Sequence, residues 1–386
     1  MAKDKNGKEL PPGITLRSDG RYMRRVQVDG ERVTLYGKTL KELQNKIESV
    51  KYEMKHGMFC KPKDITVASW FETWIEQYKA GACKASTIQT YRQSFEHYIG
   101  PVIGKKKVTD IQPQMMQKII NDLYKKGFSK SRVNIVYVVL CGMFEQAHRN
   151  RLILNNPASA LVFPGFRKKM QSDKRVMTVA EQKTFLEYAK GSVYYSFYVM
   201  ALSTGMRVNE ITALQWSDID WISKVIHVTG TLVYVRNGGG RYKDSPKTES
   251  SRRDIPMLAN VEELLRDIRK VQLEKRLLLG KIWKEETGLQ NLVFTYETGG
   301  ALWDTGIRVD IGKIVEKINA AGIQFEHITP HTFRHTFATR GLEQGIPLKV
   351  MQSILGHSSL AMTADLYSHV LPDTKAEEMK KLENVL

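Results

Sequence analysis

Apolar residues change their spacing twice along this chain, and each change marks a different kind of element. Within residues 14–36 they recur at about every second position, in ITLRS, YMRRVQV and RVTLY, which is the period of a half-buried strand. Asp19-Gly20 and Asp29-Gly30 separate the three runs and are type I′ hairpin signals, because that turn needs positive φ at its centre. From Leu40 to about His56 the spacing lengthens to three and four, so a three-stranded sheet plus one helix is expected at the N-terminus. Lys61-Pro62-Lys63 reads as a linker. Beyond it the helical period dominates: Trp70, Phe71, Trp74, Ile75 and Tyr78 begin it, and Thr87–Ile99, Met115–Leu123 and Ser131–Arg149 continue it. Breaks at Gly100-Pro101, Pro113 and Gly127 divide this text into a four-helix bundle.

Pro164–Lys174 reads as a second linker, and a mixed pattern follows. Thr178 and Glu181 have capping-box spacing, and Val193–Ser203 is an apolar helix that Gly205 ends. Strand patterns at Val225–Val235 and Arg252–Pro256 flank Gly238-Gly239-Gly240, which predicts a β-hairpin or small sheet. From Asn260 onward the pattern is nearly all helical. The chain is therefore expected to be multidomain, mainly α with small β-sheets, divided into residues 1–60, 64–165 and 174–386.

A length of 386 residues allows two or three cores, and 42% hydrophobic with 26% charged residues describes a soluble globular protein. The opening MAKDKNGKEL has no apolar stretch of the kind a secretory signal needs, and the longest apolar run, Ile135–Phe144, is about half of what a bilayer requires. No membrane partner is expected. Cys60, Cys83 and Cys141 lack ligand spacing, so neither a disulfide framework nor a metal site is read from them, and a reduced cytoplasm is the expected compartment.

Charge narrows the class further. The net charge of +18 is concentrated early, with 15 basic and 9 acidic residues in 1–65 and 16 and 6 in 66–170. A solubility charge has no reason to crowd there, whereas a grip on a polyanion does. Arg21, Arg24, Arg25 and Lys38 are the DNA-binding candidates of the first module, and Lys105, Lys106 and Lys107 those of the bundle. A charge-guarded edge strand and a solvated loop are the ordinary alternatives for each residue taken singly.

The last sixty residues carry the candidate chemistry. In TPHTFRHTFATR, Thr329 and Pro330 read as N-cap and first helical position, which puts His331 and Arg334 on one face near the positive helix end. His331 and His335 have zinc-helix spacing, but Thr332 stands where a metalloprotease needs Glu, so His335 is read as structural. His357 in LGHSS and Tyr367 in DLYSHV add an imidazole and a phenol. Arg207 near a helix start, Lys247 in a charged loop and Tyr367 among sixteen tyrosines would each be unremarkable alone.

Taken together the boxes resemble the tyrosine recombinase family of site-specific integrases. STGMRVNEI resembles its first arginine box, HTFRHTFAT its second, LGHSSLAMTADLYSHV its nucleophile box, and SPKTESSRRDIP the hairpin that delivers its lysine. The resemblance spans roughly residues 60 to 370 and implies a core-site DNA-binding bundle followed by a catalytic domain of the tyrosine recombinase type. The N-terminal module resembles, more loosely, the arm-site DNA-binding domain of integrases from conjugative transposons and temperate phages. Carried over, Arg207 and Arg334 would clamp the scissile phosphate, Tyr367 would attack to leave a 3′-phosphotyrosyl link, His331 would help move the phenol proton, Lys247 would protonate the departing 5′-oxygen and His357 would hydrogen-bond the phosphate. The resemblance implies double-stranded DNA with core and arm sites as partner, a homotetramer on DNA, attack in cis, no ATP or metal cofactor, a bacterial cytoplasm, and room for accessory DNA-bending or excision proteins. A non-catalytic DNA-binding regulator with the same fold and a type IB topoisomerase remain as alternatives.

Overall fold

The structure, a computed structural model, describes residues 9–28, 31–55, 65–166, 175–235, 240–244 and 252–367. These form two compact units that divide between Arg167 and Lys168.

The first unit begins with an antiparallel sheet, β1 (Ile14–Leu16), β2 (Tyr22–Val28) and β3 (Glu31–Gly37), in the order β1-β2-β3. Helix α1 (Leu40–Lys55) packs on it through Leu43 and Ile47, which meet Leu10 and Ile14 in a small core. Gly37 lets the helix close in, since a Cβ there would lie 2.7 Å from the Leu43 nitrogen. The register places Ile14, Arg24 and Leu35 opposite one another, and Thr15, Met23 and Tyr36 likewise, so Arg24 and Arg25 point to opposite faces of β2. These two DNA-binding candidates therefore do not share a face of the sheet. The β1–β2 connection also differs from a two-residue I′ turn: Leu16 pairs with Tyr22, and five residues bridge them with Gly20 at φ +79°.

The four expected helices are present as α2 (Val67–Trp74), α3 (Ala85–Ser94), α5 (Pro113–Lys125) and α6 (Lys130–Arg149), with a single extra turn, α4 (Gly100–Ile103). Thr66 and Ser129 cap α2 and α6 by accepting from Ser69 N (3.2 Å) and Arg132 N (3.3 Å). Both α2 and α3 widen into π-turns, Ile75–Lys79 and Phe95–Ile99, which carry Ile75 and Ile99 into the core. Trp70 donates its indole N–H to Met143 O (3.0 Å), and Phe71 stacks on Phe95 at 3.9 Å. The aromatics of this unit are thus core, as their helical spacing suggests. Lys105, Lys106 and Lys107 are exposed in the turn after α4, whose backbone is tied to α2 by Val67 N donating to Lys106 O (2.9 Å).

The second unit is built on α7 (Val179–Ala189), α8 (Tyr195–Thr204), α9 (Val208–Ile211), α10 (Ala259–Leu279), α11 (Asp304–Ala320), α12 (Pro330–Glu343), α13 (Leu348–Leu355) and α14 (Leu360–Tyr367). Phe185, Phe197, Tyr198, Phe333 and the inward face of α11 (Ile307, Ile311, Ile314, Ile318) fill its core. The Thr178 capping box forms: Glu181 N donates to Thr178 Oγ1 (3.1 Å) and Thr178 N to Glu181 Oε2 (2.7 Å). The expected strand Val225–Val235 divides in two. β5 (Val225–Val228) joins β4 (Ile219–Asp220) and β8 (Arg253–Pro256), whereas β6 (Thr231–Val235) pairs with β7 (Gly240–Asp244) as a separate hairpin. The break falls at Gly230, where a Cβ would be 2.8 Å from both Asp244 O and the Lys243 side chain. Residues 283–303 are irregular and interrupt the helical region, with a bridge between Thr295 and Ala301. Among the described residues no helix is long and apolar enough to cross a membrane.

Candidate active site

Helix α8 ends on Gly205, whose left-handed φ of +61° reverses the chain. A Cβ at Gly205 would sit 2.3 Å from the Phe337 ring, so only glycine lets this turn lie against α12. Two residues on, Arg207 is the N-cap of α9. Its backbone N–H donates to Glu210 Oε2 (2.9 Å) and its guanidinium to Glu210 Oε1 (2.7 Å). Arg334 lies one turn into α12, whose start is secured by Thr329 N donating to Thr332 Oγ1 (3.0 Å). Its side chain is buried and donates to Gly205 O (2.7 Å) and Leu355 O (2.5 Å).

The C-terminus of α13 organises the rest. A helix leaves its last carbonyls without intrahelical donors, and here three consecutive ones accept from three arginines. Arg253 donates to Ile354 O (2.5 Å), Arg334 to Leu355 O and Arg207 to Gly356 O (3.1 Å). The negative end of the helix dipole complements this charge. Arg253, buried on β8, also forks onto Glu210 at 3.1 and 2.8 Å. Arg207 and Arg253 therefore share one carboxylate.

His357 follows immediately, after Gly356 at φ +62°. It is buried, its Nδ1 lies 2.9 Å from Thr363 Oγ1 on α14, and its carbonyl accepts from Gln352 Nε2 (3.1 Å). His331 is exposed on the first turn of α12, its ring 6.0 Å from that of His335 in an edge-on arrangement.

Among the described residues three guanidinium groups meet one carboxylate here, and the surplus of positive charge is reflected in the titration of Arg334, Glu210 and the two histidines. Burial pulls Arg334 down to about 9, helped by Arg207, which still leaves it charged at neutral pH. Burial works to raise Glu210, but its hydrogen bonds and charge pairing with Arg253, and then Arg207, carry it down to about 2. Burial first, then Arg334 and Arg207, hold His357 down at about 3, so it is neutral at physiological pH. The same causes in the same order lower His331. Such a cluster is poised to receive an anion.

Of the six residues that the motifs point to, Arg207, Arg334 and His357 meet around the α13 terminus, with His331 close enough for both arginines to depress it. Tyr367 ends α14; its side chain, like the whole of Lys247, lies outside the described residues. Motif spacing does not point to Glu210 and Arg253, although the first stands in STGMRVNEI and the second in SPKTESSRRDIP. Arg25 and Lys38 are exposed on the N-terminal module, and Arg21, also exposed, is engaged by Asp19 at 2.8 Å.

A buried cluster of guanidinium groups beside a short helix that ends in tyrosine is an arrangement suited to holding an anion such as a phosphodiester. Residues 174–373 match the phage integrase family and residues 66–124 its N-terminal SAM-like domain, so the chain belongs to the phage integrase family, the tyrosine recombinases that cut and rejoin DNA. It is similar to a XerC-like tyrosine recombinase of Caldanaerobacter subterraneus, 28% identical over 99% of this chain and 97% of that one. The transposase of transposon Tn916 from Enterococcus faecalis is 24% identical over 98% and 96%. Among solved structures, a fragment of the Tn1549 transposon integrase in complex with transposon right-end DNA superposes with a TM-score of 0.65 at 26% identity, covering 83% of this chain and all of the fragment.

Proposed function

We propose that this recombinase integrates and excises a mobile element, and that the arginine cluster on the α13 terminus is its phosphate site. The surplus of buried positive charge around Arg207, Arg334 and His357 carries the reading, because a scissile phosphate supplies the missing anion. In the reaction, the Tyr367 oxygen attacks phosphorus, the P–O5′ bond breaks, and a 3′-phosphotyrosyl link and a 5′-hydroxyl form. Arg207 and Arg334 stabilise the charge that grows on the non-bridging oxygens, and His357 donates a hydrogen bond to one of them. His331 takes the phenol proton, which its lowered basicity allows it to pass on, and Lys247 protonates the 5′-oxygen. A phenolate leaves more readily than an alkoxide, so the step reverses and ligation needs no ATP. Only a short turn separates His357 from α14, which supports attack by Tyr367 in cis.

In this reading residues 64–165 hold core sites, with Lys105, Lys106 and Lys107 on phosphates, and residues 1–60 hold arm sites, with Arg21, Arg24, Arg25 and Lys38 about the sheet. Strand exchange between two duplexes needs four active sites and hence a tetramer on DNA, in a bacterial cytoplasm, with accessory bending or excision proteins assisting. The related Tn916 and Tn1549 proteins support the mobile-element assignment. The test is a nicked suicide duplex carrying the DNA that flanks the gene, incubated in EDTA and run on a denaturing gel. Wild type is expected to form a covalent protein–DNA adduct, and Tyr367→Phe and Arg207→Ala none. Tight, sequence-specific binding without an adduct in any lane would instead make the protein a regulator.

A further inference from the structure

We infer that Thr363 is a positioning residue that selects the tautomer of His357, so that the imidazole presents an N–H to a bound phosphate. The inference deepens the phosphate-site reading and rests on it. The ring of His357 has two nitrogens with different surroundings. Nδ1 is committed to Thr363 Oγ1 at 2.9 Å, in a contact buried on both sides, since Thr363 is fully buried and His357 8% exposed. Nε2 is thereby left as the nitrogen available to a ligand. The ring is buried, and the residue's backbone is tied to the last turn of α13, where His357 N donates to Gln352 O (3.2 Å) and Gln352 Nε2 to His357 O (3.1 Å).

A neutral imidazole carries one N–H and one lone pair. If Nδ1–H donates to Thr363, the lone pair on Nε2 meets the phosphate oxygen, and the contact is repulsive. If the Thr363 hydroxyl donates to Nδ1, the proton moves to Nε2 and the contact becomes a hydrogen bond to the anion. A second proton would remove the choice, but burial first, and then Arg334, Arg207, His335 and Arg253, oppose it and keep the ring neutral. A hydroxyl can donate or accept through the same oxygen by rotating, and it does so without charge. With phosphate bound, the Thr363 hydroxyl therefore donates to Nδ1 and holds the ring proton on Nε2.

The experiment compares full-length wild type with Thr363→Ser, Thr363→Val and Thr363→Ala by single-turnover cleavage of a nicked suicide duplex at saturating protein, with DNA affinity measured in parallel. Thr363→Ser keeps the hydroxyl and should cleave within about threefold of wild type. Thr363→Val keeps the shape without the hydroxyl and should cleave about ten- to a hundredfold more slowly at unchanged affinity, the scale expected for losing one buried donor to the transition state. Thr363→Ala gives the same comparison should valine disturb α14. In a His357→Ala background, Thr363→Val should add little further slowing, because the threonine acts only through that ring. Val and Ala variants cleaving like wild type, a Ser variant as slow as Val, or full additivity with His357→Ala would each overturn the inference. A wild type that forms no adduct would instead bring down the phosphate-site reading beneath it.

Discussion

Arg207, Arg334, Arg253 and Glu210 make a group in which every member alters its neighbours' protons, and His357 shows the effect most strongly. Its folded value of about 3 lies below its ordinary value of 6.5, so the unfolded chain binds the proton that the folded chain refuses. Stability contributed in this way is complete above pH 6.5 and is lost as the pH falls from there toward 3. Across that window a tenfold rise in proton concentration favours the unfolded chain by about 1.4 kcal/mol, so acidification to pH 5 should cost roughly 2 kcal/mol from this residue. Glu210 acts only further down, between its ordinary 4.5 and about 2. Thermal unfolding of the free protein should therefore weaken measurably between pH 7 and 5, and His357→Gln should flatten that dependence. Parallel profiles for the two proteins would exclude His357 as the source. Arg207, Arg334 and His357 are legible in the sequence through the co-occurrence of their boxes, since none of the three would stand out alone. Arg253 and Glu210 are not, since their pairing joins positions 43 apart through a fold that no spacing rule anticipates. A lone Arg next to another Arg on a strand carries no local sign of being buried.

Helix ends, more than helix bodies, build the site. The helices themselves follow from apolar periodicity: α1, α5 and α6 begin and end within a few residues of where their patterns do. What the pattern misses are the places where a chain turns for a tertiary reason, as at Gly230, where the approach of Lys243 divides one expected strand between two sheets. Gly205 is the opposite case, a helix stop visible in the sequence whose second duty is visible only in three dimensions. Its carbonyl receives Arg334, and its missing side chain admits Phe337. Gly205→Ala would combine a strained positive φ with a clash at 2.3 Å. A loss of about 2–4 kcal/mol is expected, together with cleavage too slow to measure, because the turn would have to leave Arg334. Guanidinium denaturation with a midpoint equal to wild type would show that the turn is more accommodating than its geometry implies.

At the scale of the molecule, charge and topology divide the labour. The basic excess sits in residues 1–170, while the residues that meet at the α13 terminus all come from the second unit. Deleting residues 1–60 should leave adduct formation on a core duplex within a few-fold of wild type, abolish binding to arm DNA, and reduce the salt dependence of total affinity, since each lost phosphate contact lowers the slope by about 0.9. Gel shifts on separate core and arm duplexes across a salt series would decide it; undiminished arm binding would move that role elsewhere in the chain. The small N-terminal sheet and the bundle each close a core from contiguous sequence, at Leu43 and Ile47 in one and at Trp70, Trp74 and Met143 in the other.

The capping of three arginines by successive carbonyls has a consequence for the order in which the protein is made. Arg207 waits 149 residues for the carbonyl of Gly356, Arg253 waits 101 for that of Ile354, and Arg334 waits 21 for that of Leu355. Until α13 has been synthesised none of the three has its helix-end acceptor, although Arg207 and Arg253 can already pair with Glu210. His357 and the helix that ends in Tyr367 come later still. DNA cleavage is therefore expected only once residues 348–367 have been made, and a chain cut short before them should form no covalent adduct with DNA.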